Sequence, residues 1–426
     1  MTSRPARRSR RGYTLPTAAL TALLLGLPAQ AHAQPNASGT AGRSAAEQLL
    51  SSLSPQQRQA LHRLSAIDAD GLHVTDQSVL KSDRPVDVIV RFRQPAAAAA
   101  RLLAAEQGRS LSAASARQAV QNAHTGFDAS LAKAFPGGAG KKTGDGYTVR
   151  RAYTDGFDGV SMSLPGDRVA DLLTLGEVAS VWPDTTVHAL DDQAAGTSGT
   201  TVAAGGTDSG DEDAIAAGVR RLHAEGVTGA GVKVGIIDTG IDYHHPDLKD
   251  AYAGGHDFVD NDDDPMETTY ADWKASGQPR TNSGETYYTL HGTHVAGIIA
   301  GRGDESTERA AHGVAPGAKV YAYRVLGPYG SGSTSAVLAG MDQAVKDGMN
   351  VVNMSLGAPV DAPLSPEAVA ADTMVLDGIT TVIAAGNSGP GAYTLGTPGA
   401  AALPITVGAN DTPLHLPSYT VTAGSA

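Results

Sequence analysis

Three kinds of hydrophobic pattern follow one another along the chain. First, Arg4, Arg7, Arg8, Arg10 and Arg11 precede the apolar run LPTAALTALLLGLPA, which leads into AHA ending at Ala33. Basic, apolar, then small-x-small is the order of a secretory signal peptide. A membrane span needs about 20 apolar residues, and this run is shorter and broken by two prolines, so residues 1–33 predict an exported, extracellular protein without a membrane anchor. Residues 34–83 are polar and weakly periodic, a partly helical leader. In 84–190 the pattern switches between strand and helix periods. VDVIVRF alternates with Val86, Val88, Val90 and Phe92, and Val120, Phe127, Leu131 and Phe135 then hold one helical face. A Gly/Lys loop follows, then YTVRRAY, VSMSL, the helix-like DRVADLLTLG and the strand VASVWP. That order, β-α-β-β-α-β, predicts an α+β split-βαβ (ferredoxin-like) domain.

Residues 191–213 are rich in Gly, Ala, Thr and Asp, without a core signal, and read as a linker. From 214 to 426 the runs VKVGIID, KVYAYRV, NVVNMS, TTVIAAG and ITVGA are apolar and β-branched, and helix-like segments separate several of them. SPEAVAADTMVLDG carries Ser365 as N-cap and Pro366 at the first helical position. Continuous apolar strands joined by crossover helices predict an α/β domain whose parallel sheet is covered on both faces, three layers in all. In such sheets chemistry gathers at the carboxyl ends of the strands.

Charge narrows the partners. The 426 residues carry a formal charge of −12; removing 1–33 takes five arginines and no acid, leaving 27 bases against 44 acids, or −17. A chain so acidic is a poor partner for nucleic acid, whose affinity rests on neutralising phosphates. With no cysteine there is no disulfide, thiol nucleophile or thiolate metal site.

Three polar residues stand at comparable sheet edges: Asp238 ends VKVGII, His291 opens HGTHVAGIIAG, and Asn387 follows TTVIAAG. An acid that orients a histidine, and a histidine that deprotonates a hydroxyl, are two-thirds of a nucleophilic triad. A carboxamide beside them can donate to an oxyanion. Rival readings are weaker. DTG at 238–240 resembles an aspartic-protease loop, but its only companion, DSG at 208–210, lies in the linker. The glycines of GAGVKV precede their strand, where a nucleotide-binding turn needs them after it. His291 and His294 have no third ligand at metal spacing; His294, His244, His245 and His312 are read as structural. Asp260, Asp262 and Asp264 begin like an EF-hand loop, but Pro265 replaces its glycine, so the run reads as a solvated acidic loop.

The blocks VGIIDTGIDYHHPDL, LHGTHVAGIIAG, VNMSLG and IAAGNSGP resemble, in order, the signature blocks of the subtilisin-like serine proteases across roughly 213–410. The resemblance implies a subtilisin-like catalytic domain with Asp238 as orienting acid, His291 as general base and Asn387 in the oxyanion hole. It implies a cleft with Gly330, Ser331 and Gly332 on one side and Ser355, Leu356 and Gly357 on the other. Ala384, Ala385 and Gly386 would wall the primary specificity pocket. Residues 84–190 are similar to the family's propeptide, an intramolecular chaperone and inhibitor, cut free at a point within about 184–215. Polypeptides are the implied substrates and a monomer the implied state. No cofactor is required, with calcium at Asp247 as a structural ion.

One expected residue is missing. The family's serine lies beyond its Asn387 equivalent in a Gly-Thr-Ser-apolar-Ala-x-Pro block. Ser388, Ser418 and Ser425 sit in no such block, and GTSG at 196–199 precedes Asp238. The expectation is a precursor truncated before its nucleophile and inactive as it stands. Its catalytic domain would be incomplete, with the final stretch placed where an inserted accessory domain can begin. The alternative is a non-catalytic protein that binds peptides or a protease.

Overall fold

The computed structural model describes residues 45–65, 71–136, 138, 146–190, 218–303 and 312–408. The signal-peptide stretch 1–33, the linker 191–213 and the residues after 408 lie outside them. In the first domain β1 (Gly71–Leu72), β2 (Pro85–Phe92), β3 (Thr148–Tyr153), β4 (Gly159–Pro165) and β5 (Val178–Pro183) form one sheet in the order β1-β5-β2-β4-β3. Strand alternation sorts its side chains. Val88, Val90 and Phe92 join Val160, Met162, Leu164 and Val181 on one face, closed by Phe127, Leu131 and Phe135. From the opposite face Ile89, Tyr153 and Trp182 enter a cluster shared with the second domain.

The helical stretch after β2 is two helices, Ala97–Glu106 and Ala113–Ala134. Gly108, at φ +70°, turns the chain between them, and Ser112 caps the second by accepting from the Ser115 N–H. DRVADLLTLG folds as 3₁₀ turns over Gly166–Thr174. The leader is helical at Ala45–Ser51 and Pro55–Ser65, and then supplies β1, which pairs in parallel with β5.

Strand β6 (Thr186–Ala189) leaves the first domain. The second domain contains β7 (Lys233–Asp238), β8 (Tyr252–Asp257), the short hairpin β9 (Thr281–Asn282) and β10 (Glu285–Thr286), and β11 (Lys319–Arg324). It continues through β12 (Ser331–Ser333), β13 (Val351–Met354), β14 (Leu356–Gly357), β15 (Thr380–Ala384) and β16 (Ile405–Val407). Its main sheet runs β16-β15-β13-β7-β11-β8, every pair parallel. Val234 and Ile236 face one buried cluster with Ile241, Ala296 and Val320, while Ile237 and Tyr323 face another with Val337, Met341 and Val352. Two clusters on two faces make the α/β domain three-layered.

The edge strand β8 carries no apolar signal. Gly255 sits at φ +153°, and a Cβ there would lie 1.8 Å from the Ala322 carbonyl oxygen. This strand approaches β11 closely because it lacks the side chains that normally announce a strand. The helices Thr334–Lys346 and Pro366–Leu376 are capped by Ser333 and Ser365, which accept from the Ala336 and Ala368 N–H groups.

Candidate active site

Asp238, the last residue of β7, is 1% exposed. Its Oδ1 accepts the Thr239 N–H at 2.7 Å and lies 2.6 Å from His291 Nδ1. A buried carboxylate on Nδ1–H fixes the tautomer and directs the basic lone pair to Nε2.

His291 is held by the way its helix begins. Leu290, the N-cap residue of the His291–Ala300 helix, gives no side-chain bond, so the first N–H groups are satisfied from elsewhere. Thr239 Oγ1 accepts the Gly292 N–H at 2.8 Å. Glu267 Oε1 accepts the Thr293 N–H and hydroxyl at 2.8 and 2.9 Å, and Oε2 accepts the Thr289 hydroxyl at 2.6 Å. Burial pushes the Glu267 carboxyl above its usual range, against the pull of these hydrogen bonds. The helix start also presses on the loop after β7: a Cβ at Gly292 would lie 2.1 Å from the Gly240 carbonyl oxygen.

Beside this pair, β6 lies antiparallel between β12 and β14. Ser331, Gly332 and Ser333 pair with His188, Val187 and Thr186, and Leu356 and Gly357 pair with Ala189 and His188. The ladder runs on to Leu190, whose N–H donates to the Ser355 carbonyl at 3.0 Å. Val187 is 1% exposed, in one cluster with Leu326 and Leu356. Gly330 lines the cavities at the end of β6, at φ +61°.

Leu190 borders two adjoining cavities. One of about 600 Å³ is shared with His291, Ser355 and Ala384. The other, of about 280 Å³, is shared with Gly357, Ala384, Gly386 and Asn387. Ala385 is engaged in the sheet edge, its N–H on the Val407 carbonyl. The structure thus gathers Asp238 and His291 in contact, with Asn387 and both cleft segments around residues 187–190. His294 is exposed one turn beyond His291, and His244, His245 and His312 are exposed elsewhere.

Metal donors are sparse. Among the described residues Asp247 Oδ1 finds no hydrogen-bond partner although it is buried, which suits one ligand of a hard cation. No group of three acids or histidines among the described residues is placed to hold a metal ion, and part of the neighbouring loop, 304–311, lies outside them. At the acidic run the cation is Arg324, which bonds Asp257 and, at 2.6 Å, Asp260.

The sequence pattern does not single out Glu267, Thr239 or residues 186–190. Glu267 sits in the polar stretch PMETTY, and nothing local marks it as buried. For 186–190 a signal exists: Val187 is an isolated apolar residue in an extended polar tail directly after a strand.

The subtilase family model matches residues 229–425, and the peptidase inhibitor I9 model matches residues 87–190. The minor extracellular protease Vpr of Bacillus subtilis is 42% identical over 281 residues, 65% of this chain and 32% of the relative. Subtilisin DY of Bacillus licheniformis is 40% identical over 204 residues, 47% of this chain and 64% of the relative. Subtilisin Savinase of Lederbergia lenta is 40% identical over 189 residues, 44% of this chain and 59% of the relative. The chain therefore spans about a third of the first relative's length and about three-fifths of the other two. Residues 229–425, which hold the Asp238–His291 pair, are thus a subtilase domain, and residues 87–190, which deliver β6, are a peptidase inhibitor I9 domain.

Proposed function

We propose that this chain is the precursor of a secreted subtilisin-like serine endopeptidase, with its inhibitor domain in place. The observation that carries the reading is β6 seated between β12 and β14, its ladder ending at Leu190, which lines one cavity with His291. An extended peptide that adds a strand to a sheet edge gains main-chain hydrogen bonds from any sequence, while pockets select its side chains. Residues 186–190 fill the cleft as the acyl half of a substrate would, so the scissile bond is Leu190–Asp191. The cleft then prefers a large aliphatic residue at the Leu190 position and an aliphatic one at the Val187 position.

In the complete site a serine Oγ attacks the Leu190 carbonyl carbon and His291 takes its proton. Asp238 stabilises the resulting imidazolium, and Asn387 donates to the oxyanion. Collapse expels the Asp191 amine, protonated by His291, and water then hydrolyses the acyl-enzyme. No serine after Asn387 in these 426 residues stands in a Gly-Thr-Ser-apolar-Ala-x-Pro block. Loss of the nucleophile costs roughly 10⁶-fold in kcat, a magnitude measured on a subtilisin itself. The 426 residues alone are therefore read as inactive. A structural calcium ion at Asp247 belongs to the same reading.

That missing block favours a second reading, a non-catalytic protein whose cleft captures peptides. A chromogenic anilide of Val-His-Ala-Leu separates the two. The protein expressed from the source gene read past codon 426 should hydrolyse it, and His291→Ala should abolish hydrolysis. Hydrolysis by the 426 residues alone, or the same rate in His291→Ala, contradicts the assignment. Binding without turnover by the full product supports the second reading.

A further inference from the structure

Residues 45–65 lie upstream of the I9 match, which begins at residue 87, yet they are built into the boundary between the two domains. The Pro55–Ser65 helix buries Ala60 and Leu61 completely. Leu53 and Leu61 share one cluster with Ala99 and Leu102 of the inhibitor domain and with Leu376, at the end of the subtilase domain's Pro366–Leu376 helix. Leu64 packs against the larger cluster that the two domains share, and lines a cavity with Phe92 and Ala99 of the inhibitor domain and Val369 and Thr373 of the same helix. Polar contacts follow the same path. The Leu64 carbonyl accepts from the Arg91 guanidinium at 3.3 Å, and the charge of Arg63 offsets part of the burial that raises the Asp372 carboxyl.

A solvated leader would leave its leucines on the surface. This one spreads them across an inhibitor-domain helix and a subtilase-domain helix at once. While the chain is continuous, the tether through 191–217 holds the two domains at high effective concentration and such a contact is redundant. Once that tether is cut, only the interface remains, and the leader enlarges it. We propose that residues 45–65 are a clasp that keeps the inhibitor domain on the subtilase domain after the connecting chain is cleaved; this rests on reading residues 87–190 as the intramolecular inhibitor. The clasp acts together with β6 in the cleft and with the Thr154–Gly156 turn, whose three N–H groups bond Asp342 Oδ1 at 2.6–3.0 Å. It delays release and so sets when the cleft opens.

The test needs no catalysis. A recognition sequence for a site-specific protease is placed within 191–217, the purified 426-residue chain is cut, and the subtilase half is immobilised through its C-terminus. Loss of the N-terminal half is then timed. Removing a fully buried leucine contact between separating bodies is expected to act mainly on dissociation, so Leu61→Asp should release the half about 30-fold faster than the parent. Arg63→Glu, at an exposed position, should act in the same direction but more weakly. Deletion of residues 34–65 covers the case in which Leu61→Asp disturbs folding, and should match or exceed it. Equal dissociation of the parent and the deletion overturns the clasp. Failure of the inhibitor reading shows differently: a cut parent whose halves stay together while a Val-His-Ala-Leu peptide enters the cleft freely.

Discussion

Gly292 has no room for a side chain. A Cβ there would sit 2.1 Å from the Gly240 carbonyl oxygen, so Gly292→Ala must push the helix start away from β7, and His291 moves with it. The expected cost is about 2–4 kcal/mol of stability, together with loss of the low-field NMR proton shared by His291 Nδ1 and Asp238; an unshifted proton would show that the helix start is not what positions the histidine. Glu267 acts on the same helix from the other side. Glu267→Ala strands the Thr293 N–H and two hydroxyls, each worth about 1–3 kcal/mol when left buried and unpaired. Glu267→Gln keeps an acceptor and should recover part of that loss. Urea melts that rank Ala and Gln equally would refute a hydrogen-bonding role. Neither residue stands out as chemistry in the sequence: a glycine after a histidine and an acid among threonines are common. Asp238 and His291 can be named because each punctuates an apolar run, one ending a strand and the other opening a helix.

At the level of elements, legibility follows hydrophobic periodicity. The strands at 233–238, 319–324, 351–354 and 380–384 are apolar runs because both faces of a parallel sheet are covered, while 405–407, equally apolar, closes the edge with Ile405 and Val407 exposed. Strand β8 escapes the pattern because its close approach to β11 requires glycine, and β6 because a strand lodged in a cleft needs only one buried side chain, Val187. The break between the helices at 97–106 and 113–134 hangs on Gly108, and no periodicity reports it. The partner of the 154–156 turn, Asp342, lies nearly two hundred residues away, which no local pattern can reveal. Asp342 also holds Lys346 at 2.7 Å. Asp342→Ala should therefore expose the amides of Thr154, Asp155 and Gly156 to hydrogen exchange at least 10-fold faster, since a hydrogen bond to a charged acceptor contributes about 1.5–3 kcal/mol. Unchanged exchange would assign the docking of this turn to apolar packing alone.

Across the whole molecule, the two domains are joined by shared cores, by β6 and by the leader, and buried acids make the stability of the whole depend on pH. Burial pushes both Asp158 and Asp372 up to about 6 from the ordinary 3.8. Each holds a proton in the folded chain that the unfolded chain has released, so the stability they contribute is full below about pH 4 and is lost as pH rises through 6. Asp372 Oδ1 accepts the Ala402 and Leu403 N–H groups, and Asp372→Asn preserves an acceptor there. That variant should flatten the fall in stability between pH 4 and 6 by at most about 1.4 kcal/mol per pH unit, read from denaturant melts; a slope identical to the parent's would mean that Asp372 ionises normally.

In the arrangement we propose, residues 186–190, seated between β12 and β14, lie before the Asp238–His291 pair as a substrate would. N-terminal sequencing of the mature protein, produced from the source gene read past codon 426, tests that arrangement most directly. The expected N-terminus is Asp191, with His291→Ala leaving the precursor uncut. Processing at another bond, or cleavage that persists in His291→Ala, would mean that β6 does not lie in the cleft as a substrate does.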